Sequence, residues 1–184
     1  SYLEQLLELV DRKYDVVTPI AVLDASDFGV PQVRRRTFIL GYLKGLPRLR
    51  YPQPSENRHK PTVWDAIGDL PNADEFDYLL ESDVFRGHLP PPHSDYARQM
   101  RGGIECDSGL IQQTQKNGKD LTGFGRTLHR PEVIRRFAET EPGTPEPISR
   151  FFRLKKDGLS RTLRAGSGSD FGSYTAPRPI HPVY

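Results

Sequence analysis

The chain has almost no cysteine. Cys106 is its one thiol, which excludes an intramolecular disulfide framework and a zinc site built from several cysteines. That fits a reducing compartment. Long apolar runs are also missing: none reaches the length of a membrane span, and no secretory leader is read at the start. A large charge of one sign is absent too. The formal net charge is +2 over 184 residues, too small to announce a nucleic-acid binder by itself. Hydrophobic residues make up 35%, against 17 prolines and 16 glycines, so a loop-rich, partly exposed molecule is expected. A chain of this length can bury one respectable core or two small lobes.

What is present is unevenly placed. Acidic residues crowd into 74–83, while arginine and lysine cluster at 34–36, 126–136 and 150–164. Nearly balanced totals can therefore still produce basic faces. Leu3, Leu6, Leu7 and Val10 recur at helical spacing opposite Glu4, Glu8 and Asp11, which predicts an amphipathic helix over residues 2–12. It has no convincing N-cap, as expected of a cut through a larger protein. Residues 16–23 and 37–43 are apolar and β-branched, hence strands, joined by a polar connector. Thr62 should cap a short helix over 63–70, closed by Pro71. Residues 72–125 are polar and glycine-broken and take no clear assignment. A further helix is expected at 131–140, with Pro131 in its first turn and Val133, Ile134 and Phe137 buried. Segments 151–154 and 161–164 read as a hairpin across 155–158. The glycine- and serine-rich end should need a neighbour to hold its shape.

The connector carries the most specific signal. It runs Asp24, Ala25, Ser26, Asp27, Phe28, Gly29, Val30, Pro31, Gln32, Val33, Arg34, Arg35, Arg36 between the two strands. In extended chain Arg34 and Arg36 share one side and Arg35 takes the other. Two guanidinium groups on one side can grip phosphate or carbonyl oxygens in bidentate fashion, which lysine does poorly. The plain alternative is a solvated arginine turn. With its flanking strands, however, the segment resembles the DNA cytosine-5 methyltransferases, whose pattern is Asp-Tyr/Phe-Gly-Val-Pro-Gln-x-Arg-x-Arg. Residues 62–71 are similar to that family's entry helix into a target-recognition domain. Residues 150–163 resemble the exit from it, and 175–184 the approach to the next shared motif.

The resemblance implies an α+β fragment: the edge of an S-adenosylmethionine-dependent methyltransferase α/β sheet with a small irregular target-recognition domain. Residues 1–45 would belong to the catalytic domain, 46–164 would be linker and recognition domain, and 165–184 would return toward the catalytic domain. It further implies that Arg36 and Arg34, helped by Gln32, hold a cytosine extruded from the duplex. Ser149, Arg150 and Arg153 would lie toward the major groove, where arginine favours guanine edges. Lys155, Lys156 and Arg164 are candidates for the DNA backbone, against a charged hairpin facing water.

The family's nucleophilic cysteine in a Pro-Cys context, its Glu-Asn-Val glutamate and a glycine-rich cofactor turn are not in the sequence. Cys106 stands between Glu105 and Asp107, acids that would raise its pKa, and is a poor nucleophile. Residues 166–172 have spaced glycines but open no helix, so a loop with amides for phosphate is the better reading. His88, His93, His129 and His181 show no metal-ligand spacing. Trp64 is expected to pack the entry helix. The expectation is thus the DNA-recognition and base-holding part of a bacterial, cytoplasmic enzyme that methylates C5 of cytosine in duplex DNA. S-adenosylmethionine would serve the parent enzyme with none bound here; the partners would be double-stranded DNA and the rest of the enzyme, with no metal and no membrane. The alternative is a stand-alone or degenerate DNA-binding module without catalysis.

Overall fold

The computed structural model describes residues 2–10, 13–54, 59–101, 120–163 and 179–182. They fall into two compact units, Ser1–Lys60 and Pro61–Tyr184. Among the described residues no helix is long and apolar enough to cross a membrane.

The first unit opens with helix α1, Tyr2–Val10. Leu7 is half-buried while Glu4 and Glu8 face water, as the leucine spacing requires. Strands β1 (Tyr14–Val16) and β2 (Ala21–Asp24) follow. A 3-10 turn spans Ala25–Phe28, and the extended pair β3 covers Gln32–Val33. Strands β4 (Arg35–Phe38) and β5 (Gly41–Leu43) come next. β1 pairs antiparallel with β5, and β2 with β4. Each of the two strands expected from sequence is thus two. Pro19 offers no N–H to a ladder, and the chain turns there at the cis Thr18–Pro19 bond. Val17 bridges the gap by donating to the Leu40 carbonyl at 2.8 Å. Residues 46–60, read from sequence as the start of a linker, belong with this unit. The Tyr51 hydroxyl donates to the Phe38 carbonyl at 2.9 Å, and Lys60 meets Asp27 at 2.6 Å.

In the second unit, helix α2 spans Val63–Ile67. Thr62 accepts from the Asp65 N–H and Asp65 accepts in return from the Thr62 N–H, a complete capping box. Two 3-10 turns, Ala73–Glu75 and Asp77–Leu80, lead to strand β6 (Phe85–Arg86). It pairs antiparallel with β7 (Asp120–Leu121). Helix α3 (Asp95–Met100) lies against α2, and its N-cap Ser94 donates to the Asp65 carbonyl at 2.6 Å. Helix α4 covers Pro131–Glu139, and Ser160–Arg161 forms a last short strand, β8. Leu79 and Phe85 are almost fully buried, and Phe76 and Phe124 meet Phe85 edge-on at 5.0 and 5.8 Å between centroids.

Two expectations need correction here. On α4 Phe137 is buried and Val133 half-buried, but Ile134 is 47% exposed. The buried stripe follows the i, i+4 pair 133 and 137, and Ile134 falls a third of a turn away from Val133. The hairpin across 155–158 is not formed as expected. Residues 151–153 pair instead with 143–146: Pro145 bridges Phe152, Glu146 donates to the Phe151 carbonyl at 2.8 Å, and Arg153 donates to that of Thr144 at 2.9 Å. Ile180 bridges Arg153 in parallel from another side. Turn 155–158 has a different use. Its Gly158 and Lys156 carbonyls accept the first N–H groups of α2, from Val63 at 2.8 Å and Trp64 at 2.9 Å.

Candidate functional site

The arginine segment of the first unit is organised by one carboxylate, Asp24, at the end of β2. Its Oδ1 accepts from the Ser26 N–H and from the Arg34 N–H, each at 3.1 Å. Its Oδ2 accepts from Arg35 Nε at 3.2 Å. The Arg34 carbonyl is also occupied, by the Ala25 N–H at 3.1 Å. The turn between is closed at Gly29, whose φ of 83° is a left-handed conformation that glycine takes without a Cβ penalty. Donation from the Ser26 N–H is the largest influence on Asp24. Against some desolvation, the Arg34 N–H, the Ser26 hydroxyl and the Arg35 guanidinium pull the same way and hold the carboxyl at about 2, from its ordinary 3.8.

The strand register sorts the arginines. Asp24 stands opposite Arg35 and Leu23 opposite Arg36. Arg35 therefore shares a face with Asp24, and Arg36 emerges on the opposite face. The Arg36 guanidinium rests on its neighbour's carbonyl, with Nη1 donating to the Arg35 oxygen at 2.7 Å, and is otherwise open to water. Arg34 is exposed and has its backbone fixed at both N–H and carbonyl; Gln32 is half-buried in β3. Asp24 received no role in the sequence reading. Its one signal was an Asp two residues before Ser26, the spacing of an N-cap.

Five of the candidates in the second unit lie in two turns or between them. Ser149 donates its hydroxyl and its N–H to Glu146 Oε2, both at 2.5 Å. Arg150 is exposed at the tip, with φ 61°. Arg153 is buried, and its Nη1 donates to the Ala138 and Thr140 carbonyls at 2.6 Å each. It thereby satisfies the C-terminal end of α4 and is not displayed for contact. Lys155 is exposed beside Asp157 at 3.2 Å. Lys156 lies over the Trp64 ring at 4.4 Å from its centroid, so Trp64 serves packing as expected. Arg164, Cys106 and residues 166–172 lie outside the described residues.

Glu146 is the group that sequence reasoning missed. It is 1% exposed and paired with Arg136 Nε at 3.3 Å. Burial pushes its carboxyl up, but the Ser149 O–H and N–H, the Ile148 N–H and the Arg136 charge outweigh that and leave it lowered. Among the described residues no cluster of His, Cys, Asp and Glu could hold a metal ion. Nor do those residues fit a nucleotide cofactor: α2, α3 and α4 are entered from Thr62, Ser94 and Arg130, none of them a glycine-rich strand turn.

Comparison with known proteins agrees with the family resemblance. The model of the C-5 cytosine-specific DNA methylase family matches residues 3–142. The type II methyltransferase M.XorII of Xanthomonas oryzae pv. oryzae is 42% identical over 184 residues, all of this chain and 42% of that protein. The type II methyltransferase M.MthTI of Methanothermobacter thermautotrophicus is 41% identical over 99 residues, 52% of this chain and 29% of that one. A crystal structure from E. coli, described as a prophage-encoded DNA modification methyltransferase, superposes with a TM-score of 0.70 at 26% identity, covering 99% of this chain and 49% of that one. The chain thus spans less than half the length of these relatives. With the family model covering residues 3–142, most of its length, the chain belongs to the C-5 cytosine-specific DNA methylase family.

Proposed function

We propose that this chain is the base-holding and sequence-reading portion of an enzyme that transfers a methyl group from S-adenosylmethionine to C5 of cytosine in duplex DNA. The observation that carries the reading is the fixing of 34–36 by Asp24. One carboxylate binds the backbone of Arg34 and the side chain of Arg35, and leaves Arg36 on the opposite face with its guanidinium open to water. Two arginines on a fixed backbone suit a nucleotide held outside its stack, where oxygens of phosphate and base must be met. Gln32, two residues before Arg34, helps to position them. The exposed Arg150 and Lys155 of the second unit are assigned to the neighbouring duplex.

S-adenosylmethionine supplies the methyl group, and we assign its site and the attacking cysteine to the rest of the enzyme. The chain's own residues bind and orient; they carry out no bond-making step. In the parent enzyme Arg36→Ala should lower kcat/KM about 10–100-fold, the loss expected of a charge-assisted hydrogen bond. Arg35→Ala should cost only a few-fold, because that side chain is 77% exposed and turned to the other face. Equal losses for the two variants would refute the assignment. An Arg36→Ala enzyme that still extrudes the base, read by 2-aminopurine fluorescence at the target position, would refute the base-holding role.

A further inference from the structure

The tip of loop 147–150 holds a backbone outlier that packing does not explain. Among the described residues Arg150 alone has positive φ without being glycine, at 61°. Side chains disfavour that region, and glycine or asparagine would make the same turn more easily. Nor does the arginine repay it with contacts inside the fold. Its side chain is exposed, and among the described residues its guanidinium makes no hydrogen bond or ion pair. The inference from such an outlier runs toward function.

The base under this residue is fixed on every side. The Arg150 N–H donates to the Glu146 carbonyl at 2.9 Å, and the Glu146 N–H to the Phe151 carbonyl at 2.8 Å. The Glu146 carboxylate holds Ser149 by N–H and O–H and is itself held by Arg136 of α4. Ile148, 70% exposed, stands beside the tip. A planar five-donor head is thus carried on a fixed backbone next to an apolar side chain. A phosphate contact would need a charge but no particular backbone placement. The edge of a base pair needs a donor fork at a set place, and an apolar neighbour is at home there against a thymine methyl.

We propose that Arg150 determines specificity, its guanidinium donating to O6 and N7 of one guanine in the major groove, and that Glu146 is the positioning residue that aims it through Ser149. This rests on the duplex-DNA reading above. The test measures methylation by the parent enzyme on its own site and on duplexes with each base pair changed singly. Arg150→Gly, which suits the turn, should relax discrimination at one G·C pair by about tenfold or more, with the salt dependence of DNA binding unchanged. Arg150→Asn, also tolerant of positive φ, should do the same. Glu146→Gln should shift discrimination at that same pair, and the double variant should be no less selective than Arg150→Gly alone.

Uniform weakening at every site, with the salt slope reduced by about 1, would mark a phosphate contact and overturn the proposal. Unchanged discrimination overturns it as well. An effect of Glu146→Gln that adds in full to that of Arg150→Gly removes the positioning role. A wild-type parent that methylates no defined site overturns the underlying function, a result visible before any variant is made.

Discussion

Glu146→Ala removes a buried carboxylate that ties a loop to helix α4. The carboxylate is 1% exposed, receives two donors from Ser149 at 2.5 Å each, and forms an ion pair with Arg136 Nε at 3.3 Å. Deleting one partner of a buried charge pair costs about 3–5 kcal/mol. Arg136 is 33% exposed and can turn to water, which places the expected loss near the lower end, about 3 kcal/mol. Glu146→Gln keeps the shape and one acceptor, so about 1–2 kcal/mol should be lost. Trp64 is the chain's single tryptophan and lies in the same unit, so urea unfolding at pH 7 can be followed by its fluorescence. A loss of about 3 kcal/mol moves the midpoint by roughly 1–2 M. The pH adds a check of sign. The folded carboxyl lies below its ordinary 4.5, so the advantage of wild type over Glu146→Gln is fully present above that value. It should be lost as pH falls through the lower, folded value. A loss below about 1 kcal/mol for alanine, or glutamine as costly as alanine, would mean that the carboxylate does not hold the loop.

Gly68→Ala should cost about 1–3 kcal/mol and shift the Trp64 emission, because a Cβ at Gly68 would lie 2.6 Å from the Trp64 ring; unchanged stability and emission would show that the ring moves aside freely. Asp24, held at about 2 from 3.8, should contribute stability that is fully present above pH 3.8 and lost as pH falls toward 2. Asp24→Asn should flatten that part of the acid-unfolding profile, and an identical profile in both proteins would refute the role of the charge.

Local rules account for what could be read in advance. Thr62 with Asp65, and Pro131 ahead of Val133 and Phe137, announce α2 and α4, because caps and helical periodicity act within a turn or two of chain. The segment from Asp24 to Arg36 was legible as a motif, but the role of Asp24 was not. Two of its three bonds reach ten and eleven residues along the chain, to Arg34 and Arg35, and depend on the β2–β4 register. The misplaced hairpin has a similar cause. Lys155 to Gly158 is a good turn sequence and does form a turn, closed by Gly158 donating to the Lys155 carbonyl at 3.1 Å. Its outward carbonyls, however, are drawn to the N–H groups at the start of α2, about ninety residues earlier in the chain, and sequence spacing carries no trace of that.

Arg150 and Arg153 show where such reading ends. Both stand in one basic run, and the same resemblance placed both toward the major groove. Their separation follows from neighbours distant in type, not from anything in their own side chains. Helix α4 ends with Ala138 and Thr140 carbonyls that need donors, and Arg153, in an extended segment beside them, supplies both bonds from one nitrogen. Glu146 consumes the Ser149 donors and closes the turn on its own carbonyl, which leaves the Arg150 side chain outside, with no bond to it among the described residues. A buried arginine that satisfies carbonyls and an exposed one at unfavourable φ are opposite ways to employ the same residue. The first is explained by the fold it stabilises. The second stands against local backbone preference, and the proposal above gives it a partner outside the fold.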